Sequence, residues 1–191
     1  RVSEIDYMAA GFFQTALLLL KRYPQAQFLL PVATAATRKR IGEILAQPEF
    51  VALPITLTDK QSDTVCTAAD VVLVTSGTAT LEVALCKRPM VISYKISPLT
   101  YAYVKNKIKV PHVGLPNILL GKAAVPELLQ HDAVPEKLAQ AVADWYDRPE
   151  AVAALEQDFH ALHLLLKKDT AALAAAAVLE EAGFSDGLKD N

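Results

Sequence analysis

A chain of 191 residues is the size of one domain with a sizeable core, and an apolar fraction of 52% against 21% charged excludes a disordered segment. A formal net charge of −2 leaves no global electrostatic footprint for nucleic acid, which is not expected as a partner. The two cysteines, Cys66 and Cys86, match neither a C-x-x-C nor a metal-ligand spacing and read as buried, reduced thiols.

Along the chain, residues 4–22 open with an acid, end with Lys21 and Arg22, and are followed by Pro24, the start and stop signals of a helix. Its apolar stretch, 11–20, is interrupted by Gln14 and Thr15 and falls short of the roughly 20 residues that span a bilayer. The opening Arg-Val-Ser-Glu-Ile places an acid before any apolar run, so no secretory leader is expected. The first residue is arginine and helix begins at once, which gives the expectation that an upstream part has been cut away.

Residues 27–32 form a short apolar run and predict a strand, and 34–45 mix polar and apolar residues at helical period. A strand is expected over 51–57, a loop or short helix over 59–68, a strand over 70–75, a helix over 77–86 and a strand over 90–94. The runs VVLVT and MVISY are almost continuously apolar, as strands covered by helices on both faces are. The alternation predicts an α/β fold with a doubly wound parallel sheet and right-handed crossovers. Beyond Asn117 no strand is expected, and 134–182 reads as two or three helices, with Pro135 at a start and Pro149 at a break. The alanine-rich run 171–177 favours a packed terminal helix, and 185–191 is polar enough to be a tail.

In an open parallel sheet, ligands bind beyond the carboxyl ends of the strands. The segment 74–82, VTSGTATLE, stands at such an end. Thr75, Ser76 and Thr78 offer capping hydroxyls, Gly77 permits close backbone approach, and Ala79 and Thr80 belong to the first turn, whose unpaired N–H groups suit an anion. Glu82 lies four residues after Thr78 on the same helical face, about 6 Å further along the axis. A carboxylate does not serve a phosphate; it suits the two adjacent hydroxyls of a ribose. A capped helix with a solvated Glu82 is the plain structural alternative. The chain contains neither G-x-G-x-x-G after its first strand nor G-x-x-x-x-G-K-[ST], so dehydrogenase and P-loop readings lose their fingerprints.

Three blocks, TSGTATLEVAL, KRPMVISYK and LPNILLGKAAVPELLQ, resemble the lipid-A-disaccharide synthase family in order and spacing over 75–130, and the similarity extends in weaker form over nearly the whole chain. The resemblance implies a Rossmann-like C-terminal half of a two-domain GT-B glycosyltransferase, with an α/β nucleotide-sugar-binding domain over 1–149. Helices over 150–191 then pack on that domain or cross to an N-terminal half. It implies transfer of 2,3-diacylglucosamine from UDP to 2,3-diacylglucosamine 1-phosphate, forming a β-1,6 disaccharide without a metal or other cofactor. The general base that takes the acceptor's proton is expected in the N-terminal half, so no catalytic residue is assigned and the piece alone should be inactive. Arg1 resembles the end of the family's Gly-Ser-Arg stretch, and Arg1 and Lys95 are the basic residues expected near the diphosphate. Asn117, Glu127 and Gln130 fall in the third block and are expected on the donor-sugar side. Uracil is placed by position in the fold at the loop around Ile55 to Leu57. Another UDP-sugar GT-B enzyme, such as a 2-epimerase or a murein-precursor transferase, and a non-catalytic nucleotide-binding module are the competing readings.

Between Tyr94 and Lys122 stand five lysines and no acid, interleaved with Tyr101, Tyr103 and Ile108, so 98–109 is expected to form a basic amphipathic helix. Such a helix suits an anionic membrane surface, here the cytoplasmic face of a Gram-negative inner membrane. His160 and His163 are three apart but lack a third ligand at metal spacing. Trp145 and Phe159 read as core or interface anchors, and an exposed apolar face within 155–182 would lead to self-association.

Overall fold

The computed structural model describes residues 2–97, 100–101, 111–168 and 170–182. The chain runs α1 (Val2–Arg22), β1 (Phe28–Val32), α2 (Ala35–Leu45), β2 (Ile55–Asp59), α3 (Ser62–Ala68), β3 (Val72–Thr75) and α4 (Thr78–Leu85). It continues with β4 (Met90–Tyr94), α5 (Leu115–Leu120), β5 (Glu127–Leu129), α6 (Pro135–Tyr146), α7 (Pro149–Leu166) and α8 (Thr170–Glu181). Local signals explain several of these ends. Thr34 and Thr37 close a reciprocal capping box at the start of α2, and prolines occupy the first turns of α5, α6 and α7.

All described strand pairs are parallel, as the helix and strand alternation predicts, but they form two hydrogen-bonded sheets instead of one. β1 pairs with β2, and β3, β4 and β5 pair in that order. Pro31 sits inside β1 without a backbone donor, which favours a strand paired on one side only. Each sheet has its own core. Around the first, Phe13 and Ala16 of α1 pack with Val32, Ile41, Ile44, Phe50 and Leu53. Around the second, Val83 and Ala84 of α4 meet Met90 and Ile92 of β4 and Leu155, Phe159 and Leu162 of α7. Helix α1 packs on α6 and joins the two parts. At its end Arg22 and Tyr23 both bond Asp147, and the Tyr23 and Tyr146 rings meet edge to face with centroids 4.8 Å apart.

Two strands differ from expectation. The second strand is Ile55–Asp59, because residues 51–53 turn to bring Leu53 into the first core instead of extending. Residues Ile55 to Leu57 are therefore strand, half-buried at Ile55 and Leu57, and not the loop expected to hold uracil; the loop lies beyond Asp59. A strand also exists after Asn117: β5 is three residues long, too short to show any period, and tertiary pairing with β4 creates it. Cys66 and Cys86 are free and only partly buried. Burial first, then the Cys86 thiol, Glu82 and Asp63, push the Cys66 thiol up, which keeps it protonated and unreactive.

Within the expected terminal helices, α7 packs on the second core, where Phe159 is fully buried, and the indole N–H of Trp145 donates to the carbonyl of Met90 at 3.0 Å. Replacing Phe159 with alanine is expected to lower stability by about 3–5 kcal/mol. Urea unfolding followed by tryptophan fluorescence measures this, and a loss below about 1 kcal/mol would show that α7 is not part of the core. Beyond it, Leu164, Leu165, Leu173 and Val178 are exposed. Among the described residues no helix is long and apolar enough to cross a membrane. Most of the 98–109 segment lies outside the described residues.

Candidate functional site

The parallel register places the carboxyl ends of β3, β4 and β5 side by side, with Thr75 beside Ser93, Ser93 beside Leu128 and Tyr94 beside Leu129. The residues that leave these strands, Ser76 and Gly77, Lys95, and Gln130, thus share one edge. The backbone N–H of Gln130 donates to the carbonyl of Tyr94 at 3.0 Å, and Gln130 takes a left-handed φ of 49° to leave the sheet. Lys95 is partly exposed and has no hydrogen bond or ion pair to a described residue. Arg1 lies outside the described residues.

Gly77 has φ 148° and ψ −165°, backbone that side chains rarely adopt, and a Cβ built there would meet nothing within 4 Å. Space is therefore open above the backbone where α4 begins. The hydroxyls of Thr75, Ser76 and Thr78, expected to cap this helix, do not: its N-cap is Gly77, which has no side chain, and the amides of Thr78 and Ala79 make no hydrogen bond to a described residue. Thr80 is fully buried and turned the other way: its hydroxyl donates to the carbonyl of Gly77 at 2.7 Å and fixes the turn. Ser76 donates its hydroxyl to the carbonyl of Val113 at 3.1 Å, tying this loop to the segment before α5. Thr78 and Glu82 are exposed on one face of α4, and no described residue bonds the Glu82 carboxylate.

Asn117 and Glu127 build the wall beside this loop. Asn117 is fully buried, donates to the carbonyl of Val125 and to Glu127 Oε1, both at 2.8 Å, and accepts from the N–H of Val125 at 2.9 Å. Glu127 also accepts from the backbone N–H of Val113 at 2.9 Å and of Gly114 at 3.1 Å. Their polar atoms are spent on holding the chain that Ser76 touches, and not on an open surface. A Cβ at Gly114 would stand 2.3 Å from Ile92 Cδ1 and 3.2 Å from Glu127 Oε1, so any larger residue there requires the buried Ile92 side chain to shift. His112, which carries no signal in the sequence, stands at the same wall with its Nδ1 3.9 Å from Glu127 Oε1. Among the described residues no three His, Cys, Asp or Glu side chains gather as a metal site requires.

The family model for lipid-A-disaccharide synthetase matches residues 1–180 of this chain, which takes in every residue of the edge just described. The chain belongs to the lipid-A-disaccharide synthetase family. A lipid-A-disaccharide synthase of Neisseria meningitidis serogroup A is 81% identical over 96% of this chain and 48% of its own length. That of Chromobacterium violaceum is 55% identical over 95% of this chain and 47% of its own, and that of Xanthomonas campestris pv. campestris is 43% identical over 94% and 42%. The chain spans about half the length of these curated relatives. Its parallel strands and covering helices are those of a Rossmann-like half of a GT-B protein, which agrees with membership of this lipid-A-disaccharide synthetase family.

Proposed function

We propose that this chain is the nucleotide-sugar-binding half of a lipid-A-disaccharide synthase, and that the edge at Gly77 holds the UDP of UDP-2,3-diacylglucosamine. One observation carries the reading. An uncapped helix start with open space above Gly77 lies one turn from an unbonded carboxylate, Glu82, within the stretch that the family model matches. The amides of Thr78 and Ala79 take the pyrophosphate oxygens, and the partial positive charge of the helix end favours them there. Lys95 and Arg1 add cationic charge as the leaving group forms, so no metal is required for that task. Glu82 accepts both ribose hydroxyls. Gln130 meets the donor sugar, while Asn117 and Glu127 act through the wall they hold in place.

In the whole enzyme the acceptor is 2,3-diacylglucosamine 1-phosphate, and the proton of its attacking hydroxyl goes to a base on the other half. The acyl chains of both substrates and the lysines of the 95–109 stretch fit an enzyme working at the cytoplasmic face of the inner membrane. The exposed leucines of α7 and α8 fit contact with the other half or with a second copy.

Calorimetric titration with UDP tests the site directly. Glu82→Ala is expected to weaken UDP by about ten- to a hundredfold, the value of charge-assisted bonds to two hydroxyls, and to affect thymidine diphosphate, which lacks one of them, far less. Equal UDP affinity in wild type and variant removes the ribose assignment.

A further inference from the structure

We infer that His112 is an additional ligand-binding residue, an imidazole that meets phosphate oxygens of the molecule held at Gly77; this rests on the nucleotide reading above. His112 precedes Val113, whose carbonyl accepts from Ser76 in the loop that opens α4, so the histidine is tied to the phosphate end of the site. Its neighbour on the other side is Glu127, 3.9 Å away, a separation too long for a hydrogen bond but short for a charge partner.

At 3.9 Å the carboxylate does not hydrogen-bond this ring. Its two oxygens already accept from Val113 N–H, Gly114 N–H and the Asn117 amide. All three donors are neutral groups, and the Glu127 side chain is only 10% exposed. The His112 side chain is 20% exposed and makes no hydrogen bond to a described residue. A partly buried imidazole whose ring nitrogens bond no described residue, beside a carboxylate held in place by the backbone and open at one side, is placed to bridge that carboxylate and an anion arriving from solvent. The diphosphate supplies the second anion. Lys95, which follows the central strand β4 of the same edge, is a flexible point charge, whereas His112 sits on backbone that Glu127 pins at two successive amides.

Titration of the purified protein with UDP and with uridine separates this role from a structural one. His112→Ala is expected to weaken UDP by tenfold or more and uridine by less than twofold, with an unchanged thermal midpoint, and His112→Lys is expected to restore most of the UDP affinity because it restores a donor to the phosphate oxygens. Equal losses for UDP and uridine, or no loss for either, would overturn the assignment. Wild-type protein that takes up no UDP overturns the nucleotide reading itself and this role with it, whereas wild-type binding unaffected by His112→Ala overturns the role alone.

Discussion

Gly77→Val is expected to reduce UDP affinity by on the order of a hundredfold, because two charge-assisted amide contacts are lost together. Two effects act in the same direction. A backbone φ of 148° is strained for any residue with a Cβ, so valine shifts the loop and re-aims the amides of Thr78 and Ala79. The side chain also fills the space above residue 77, which no protein atom within 4 Å now occupies. The cost to folding is smaller, about 1–3 kcal/mol for the strained position, and the fold should survive it. UDP calorimetry paired with a thermal melt distinguishes the two: a folded variant that binds UDP as wild type does would move the phosphate away from this helix.

Asn117 is expected to dominate the stability of the wall. Asn117→Ala leaves the buried N–H and carbonyl of Val125 without partners and takes one donor from Glu127, for a loss of about 3–5 kcal/mol. Asn117→Asp is the sharper test. It keeps an acceptor for the Val125 N–H but sets a second carboxylate against Glu127, in a place where Asn117 is fully buried. At neutral pH this variant should be at least as unstable as the alanine one, since two like charges repel and neither is solvated. The sign of its pH dependence follows from that. One of the pair binds a proton more tightly in the folded protein than in the unfolded chain, so relative stability rises as pH falls, when a single proton lets one carboxyl donate to the other. Urea midpoints at pH 7 and pH 5 for wild type and both variants measure this; an aspartate variant as stable as wild type at pH 7 would mean that the Asn117 and Glu127 contact contributes nothing.

The loop after β3 and the helix it opens were legible because their signals are local. Small hydroxyl residues, a glycine, then a carboxylate one turn on, directly after an apolar strand, can be read without knowing what packs above them, and the strands at 72–75 and 90–94 lie where apolar runs put them. The buried Phe159 and the partly buried Trp145 were legible as anchors for the same reason: large apolar side chains on helices have few other uses. What the amino-acid order by itself determined, then, is the alternation of elements, the family blocks and the position of the helix that follows β3; that no side chain caps it is seen only in the fold.

Tertiary structure decided the rest. β5 is a strand only because β4 lies beside it, and β2 begins four residues late because Leu53 and Phe50 are drawn into a core made with α1 and α2. The division into two sheets depends on which edge of β1 finds a partner, a question no window of sequence contains. Asn117 and Glu127 are ten positions apart, yet their roles follow from hydrogen bonds to each other and to Val113, Gly114 and Val125. His112 gains a possible partner only when the chain returns at Glu127. Long-range pairing has no period to read, because the free energy that selects it comes from groups brought together after the chain has folded.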